Sequence, residues 1–257
     1  MALAFHSIVG GGYEEGLFGI TELDATRFAV VGSLNQSAMQ NSQYLFPLMR
    51  PYFMDATNPL CLAGPGPSTF GTLLIFDASQ TLTPTGLLEL ELSTLIGSYG
   101  SQTVARDIIK QGDYLFIVGS TNDANMPSLV GGGFQPVMSG ATQGYVATWS
   151  LSSQSFKHAS YFNSAYDAGL VGVSAWSEYP DHVAVVGWTK VSVSSPPKIE
   201  VASLFVDTPH TNYLQMVRSY AIGSATLGDE RPGPRGSGLV TGIVHPFVFI
   251  PGELPWG

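Results

Sequence analysis

Phe28-Ala29-Val30-Val31-Gly32-Ser33, Leu115-Phe116-Ile117-Val118-Gly119-Ser120 and Val183-Ala184-Val185-Val186-Gly187-Trp188 are three versions of one phrase. Each is a run of β-branched, aliphatic and aromatic residues, the composition that strands prefer. Each then reaches a glycine, where a chain reversal is expected. A looser version, Phe247-Val248-Phe249-Ile250-Pro251-Gly252, follows near the end of the chain. Self-similarity of this kind marks repeat architectures.

Working outward from the phrase, a glycine-spaced element precedes it in three places: Gly16-Leu17-Phe18-Gly19-Ile20, Gly169-Leu170-Val171-Gly172-Val173 and Gly238-Leu239-Val240-Thr241-Gly242-Ile243. The second unit has Thr103-Val104-Ala105-Arg106-Asp107-Ile108-Ile109 instead. Glycine weakens a strand interior and is found where backbones approach closely, as at the crowded axis of a propeller. Two further strands follow the phrase. The third spans 71–77, 144–150 and 200–207, and the fourth spans 93–98, 159–164 and 218–224, with His6-Ser7-Ile8-Val9-Gly10-Gly11 also fitting the fourth pattern. No long helical periodicity interrupts these segments, so the expected class is all-β. The expected architecture is a β-propeller of four-stranded blades, a single domain over 1–257 with three full repeats and partial repeats at both ends. It is either a four-bladed ring with a thin closing blade or a fragment of a larger propeller. A β-sandwich is the alternative, but it does not require a four-strand unit to recur.

The second unit also carries a family likeness. Gly112-Asp113-Tyr114-Leu115-Phe116-Ile117-Val118-Gly119-Ser120-Thr121-Asn122-Asp123-Ala124-Asn125-Met126-Pro127, then Gly144-Tyr145-Val146-Ala147-Thr148-Trp149 and His158-Ala159-Ser160-Tyr161-Phe162, resemble the bacterial β-propeller repeat known as SBBP. The likeness is good in unit two, fair in unit three and poor between Gln36 and Thr69. Tyr145 and Val146 stand where the family has an aspartate-led strand, and the lysine of that strand is absent. The resemblance implies a propeller, often in cell-surface or secreted proteins, and no one activity.

Composition narrows the function. Charged residues make up 11% of the 257 residues, hydrophobic residues 44%, and the net charge is −9. A chain this apolar can bury a large core, so intrinsic disorder is not expected. An acidic surface repels phosphate backbones, so nucleic acid is not an expected partner. Cys61 is the single cysteine and has no disulfide partner within the chain. No apolar run approaches the ~20 residues of a membrane-spanning helix. Met1-Ala2-Leu3-Ala4-Phe5-His6 carries no basic residue and does not read as a signal peptide.

No Gly-x-Ser-x-Gly elbow, His-Glu-x-x-His helix, phosphate-binding loop or calcium loop occurs, so no catalytic residue, metal site or cofactor is expected. In a four-strand meander the loops after strand four share one end with the loops between strands two and three. That end collects the long segments 33–68, 120–142 and 188–197, and long loops are where function concentrates. The candidate ligand-binding residues are therefore Tyr13, Glu14, Glu15, Tyr99, Tyr166, Asp167, Asp229 and Glu230. As a group they would form a carboxylate-lined mouth; taken singly they are solvated turn residues. The aromatic, Pro-rich stretch Tyr44 to Pro59 is read as packing onto the body of the protein. The expected function is a non-enzymatic interaction scaffold, at the cell surface or outside the cell, binding a protein or glycan. The alternative is a carbohydrate-active hydrolase or lyase with paired carboxylates in a central funnel. Asp107 is the main acid on the first strands and the residue on which that alternative turns.

Overall fold

The computed structural model describes residues 14–35, 68–79, 89–98, 100–126, 133–162, 166–175, 182–207 and 213–224. All lie in the first of two compact units, Met1–Thr226, the second being Leu227–Gly257. The strands expected at 6–11, 238–243 and 247–252, and the aromatic stretch Tyr44 to Pro59, fall outside the described residues.

Among the described residues there is no α-helix. The strands, in chain order, are β1 Glu14–Glu22, β2 Arg27–Asn35, β3 Thr69–Asp77, β4 Glu89–Ile96, β5 Thr103–Gln111, β6 Tyr114–Thr121, β7 Gln143–Ser150, β8 Ser155–Phe162, β9 Asp167–Ala175, β10 His182–Lys190, β11 Lys198–Asp207 and β12 Tyr213–Ser224. They form three antiparallel four-stranded sheets, β1-β2-β3-β4, β5-β6-β7-β8 and β9-β10-β11-β12, each in simple chain order.

The recurring glycine has a different cause from the one expected. Leu17 pairs with Gly32 and Gly19 with Val31, which leaves Phe18 without a cross-strand partner. Arg106 is left over in the same way between Ala105–Gly119 and Asp107–Val118, and Val171 between Leu170–Gly187 and Gly172–Val186. Each first strand thus bulges opposite the glycine of the second. The bulge carries a carbonyl over that glycine. A Cβ added at Gly32, Gly119 or Gly187 would lie 1.9, 1.9 or 2.1 Å from the carbonyl oxygen of Gly16, Val104 or Gly169. The glycine therefore sits inside the strand and not at a reversal. β2, β6 and β10 run on past it to Asn35, Thr121 and Lys190.

A second recurring bulge lies on the fourth strand, where Glu91, Lys157 and Val217 are the unpaired residues. It explains why β4, β8 and β12 begin at Glu89, Ser155 and Tyr213, well before the expected starts at Ser93, Ala159 and Arg218. One extra residue throws the upstream alternation out of phase, so the strand ceases to look like one in the sequence.

The faces are used in a constant sense. Ala29 and Val31 of β2 join Leu115, Ile117, Tyr145, Ala147 and Trp149 in one core. Phe116, Val118 and Val146, from the opposite face of the second sheet, join Val183, Val185, Ala202 and Leu204 in another. Each sheet thus turns the row ending one residue before the glycine toward the sheet that follows, and the intervening row toward the sheet before it.

Candidate functional site

The two ends of the sheets differ in chemistry. At one end lie the turns between strands one and two and between strands three and four, and among the described residues their polar groups satisfy one another. Asp24 accepts from the Thr26 and Arg27 backbone N–H groups at 3.0 and 2.9 Å and from Arg27 Nε at 2.7 Å, and these bonds hold its carboxyl well below the usual range. Asp113 accepts from the Ser150 and Ser152 hydroxyls, both at 2.7 Å. Burial works against its ionisation, but these bonds outweigh that and its carboxyl is lowered. Asp77 takes the backbone N–H of Ser79 at 2.7 Å, and hydrogen bonds from Ser79 lower it too.

At the other end the loops after strand four meet the loops between strands two and three. Thr69 N donates to Ser101 O at 2.9 Å, and Ala168 N donates to Thr142 O at 2.9 Å. Parallel bridges Thr69–Gln102 and Thr142–Asp167 sit at equivalent places in the first two sheets. Between the first two sheets the junction is sealed by Asp123, which is 3% exposed. It accepts from Ser98 N at 2.6 Å and Asn125 N at 2.9 Å, and its carbonyl takes the Tyr161 hydroxyl. Gly100 N donates to Ser68 Oγ, and Gln102 N to Asn122 Oδ1.

Four of the expected ligand residues fall in described segments. Asp167 opens β9, and its carboxylate accepts from Thr142 N at 3.0 Å; Ala141 N donates to the carbonyl of its neighbour Tyr166 at 3.1 Å. Asp167 therefore pins a loop, where the sequence had suggested a solvated turn residue or a ligand. Glu14 and Glu15 open β1 opposite Asn35 and Leu34. Tyr13, Tyr99, Asp229 and Glu230 lie outside the described residues. Among the described residues no group of three His, Cys, Asp or Glu side chains could hold a metal ion.

The first strands pack on one another, β1 on β5 and β5 on β9. Gly19, Asp107 and Gly172 hold the equivalent position on them. The Asp107 carboxylate fills the space the two glycines leave. A Cβ at Gly19 would lie 3.0 Å from Asp107 Oδ1, and one at Gly172 3.8 Å from Oδ2. Asp107 Oδ2 accepts from Val173 N of β9 and Oδ1 from Ile108 N, both at 2.9 Å. Burial raises its pKa, and the two N–H donors offset this in part. Lys110 ties β5 to β1 through N to Thr21 Oγ1 at 3.2 Å and Nζ to Leu23 O at 2.7 Å.

Sequence reasoning missed the exposed apolar groups. Among the described residues these are Leu17, Ile20 and Val171 on the first strands, and Val137, Val191 and Val193 on the connections between strands two and three. It also missed the stack of Arg106 on Phe18, with Cζ 5.1 Å from the ring centroid. The only available signal was that a bulge leaves both residues unpaired, and no single strand shows a bulge.

No protein-family model and no curated protein matches the chain. Among solved structures it is similar to Sqt1 from Chaetomium thermophilum, with 11% identity and a TM-score of 0.39 over 83% of this chain. The match spans 38% of the length of Sqt1, and a likeness this distant assigns neither fold nor function. Among the described residues no helix is long and apolar enough to cross a membrane.

Proposed function

We propose that the three sheets are blades of a β-propeller, four-bladed or larger, built from SBBP-type repeats, and that the long-loop end is a non-enzymatic surface for a protein or glycan ligand. The propeller reading draws support from the repeated bulges, from the constant use of faces and from the meeting of Gly19, Asp107 and Gly172. Convergence of equivalent first-strand positions is what radial packing requires. The outer face of the third sheet agrees: Ala184 and Val186 are half-buried at positions equivalent to Phe116 and Val118, which are covered in the second sheet, as they would be where a further blade belongs.

The observation that carries the functional reading is the exposure of apolar groups on the connections between strands two and three. Val137, Val191 and Val193 are 71%, 61% and 73% exposed, and all lie on long-loop connections. Among the described residues, the turns of the opposite end carry paired carboxylates and serines. Exposed apolar groups on loops at one end of the sheets are candidates for an interaction surface. Asp107 speaks against the hydrolase or lyase reading, because both its oxygens are held by backbone N–H groups and its neighbours at that level are glycines.

The test is a glycan array and a displayed peptide library, probed with the intact chain and with the triple variant V137S, V191S, V193S. Binders selected on the intact chain are expected to lose at least tenfold in affinity for the variant at unchanged melting temperature. Binders that ignore the three substitutions would overturn the assignment of this end.

A further inference from the structure

We propose that Arg106, stacked on Phe18, is an anchor for the carboxylate of a ligand that carries an aliphatic or ring group beside it. The inference rests on the long-loop end being an interaction surface, and it names the chemistry that surface selects. Arg106 and Phe18 are the unpaired bulge residues of β5 and β1, so both are released from their ladders at the same level. The Phe18 ring folds back over Gly16, where an added Cβ would lie 2.8 Å from its Cζ. Gly16 is on the long-loop side of Phe18, so the guanidinium, 5.1 Å from the ring centroid, is held toward that end. Stacking on an aromatic face fixes the plane of an arginine and reduces the ordering cost when a ligand binds.

Other cations nearby are committed. Lys110 Nζ is bonded to Leu23 O, and Arg27 is paired with Asp24 and Glu91. Among the described residues, no carboxylate pairs with Arg106. In a chain of net charge −9 an arginine with its planar fork of donors unspent is a selective feature. Leu17, beside Phe18, is 52% exposed, and Val171, the bulge residue of β9, is 44% exposed. A cation with aliphatic flanks suits a carboxylate next to an apolar body. An apolar residue at a peptide C-terminus and an acidic sugar share that chemistry.

The test follows the Arg106 Nε–Hε resonance of the full chain by NMR while N-acetyl-leucine, N-acetyl-leucinamide and glucuronic acid are added in turn. N-acetyl-leucine or glucuronic acid should shift the resonance saturably, and the tighter of the two identifies the source as peptide or glycan. The amide should leave it unmoved at the same concentrations. R106Q should weaken binding at least tenfold, and R106K, which keeps charge without the fork, should recover only part of it. Equal shifts from acid and amide, or unaltered affinity in R106Q, would overturn the anchor. Should R106Q lose its dispersed spectrum, F18L takes its place: it keeps the charge and removes the stack, and undiminished carboxylate binding there also overturns it. The triple valine variant separates the two proposals. If it still binds small carboxylates but loses selected peptides, both stand. If it loses selected peptides while the intact chain shows no saturable carboxylate shift at Arg106, the anchor falls alone.

Discussion

The second and third sheets carry nearly the same second strand and bury it differently. In β6, Leu115, Phe116, Ile117 and Val118 are each at most 1% exposed. In β10, Val183 and Val185 are buried to the same degree, but Ala184 and Val186 between them are half-exposed. A continuous apolar run is expected when both faces are covered, and alternation when one is solvated. Here two continuous runs meet the two different fates. The cause lies outside the strand: among the described residues the second sheet is flanked on both faces by its neighbours, and the third is covered by the second on one. What the comparison teaches is that the repeat encodes a sheet able to be buried on both sides, while its neighbouring sheets decide whether it is.

The largest expected effect asks whether the two sheets share their internal construction. Gly119→Ala and Gly187→Ala each force a Cβ onto a backbone carbonyl, which cannot swing away as a side chain could. Each should cost about 3 kcal/mol, at the upper end for overpacking, read from urea midpoints. Because the collision is within the sheet, the two losses should be alike despite the different burial of the strands. A large difference between them would mean that the bulges are not equivalent.

Val118→Ala against Val186→Ala probes the difference directly, since the two occupy the same place in the repeat. The first removes fully buried methyl groups and should cost about 2 kcal/mol. The second removes half-exposed ones and should cost less than about 1 kcal/mol. Equal losses in the same urea titration would show the outer face of the third sheet to be covered.

The smallest effect concerns the inner strands, where the second sheet has Asp107 and the others have glycine. Burial raises the Asp107 carboxyl, so the folded state holds its proton more tightly than the unfolded chain does. Its contribution to stability is then fully present below the ordinary aspartate value of ~3.9 and is lost as pH rises through the folded value. Asp107→Asn should flatten the stability profile above about pH 4. A profile unchanged by the substitution would remove Asp107 as its source.

Much of the fold is legible in the residues themselves. The runs at 28–31, 115–118 and 183–186 mark strands because β-branched and aromatic side chains suit a pleated surface. Their recurrence together with first, third and fourth partners marks the four-strand unit. The expected site was legible only as a location. The long-loop end is implied by strand order, but the hydrogen bond by which Asp167 holds the backbone of Thr142 there is not. Arg106 and Phe18 were invisible as a pair because they lie on different sheets.

The sequence by itself determined which segments are strands, their grouping in fours and the place of the long connections, because period, composition and length are local properties. Only the tertiary structure decided why Gly32, Gly119 and Gly187 are required, where the fourth strands begin, which face of the third sheet is only half-buried among the described residues and which arginine stacks on a ring. Each of these depends on a neighbour distant along the chain: a carbonyl pushed inward by a bulge, an adjoining sheet, or a ring on the next first strand. No local pattern records such neighbours.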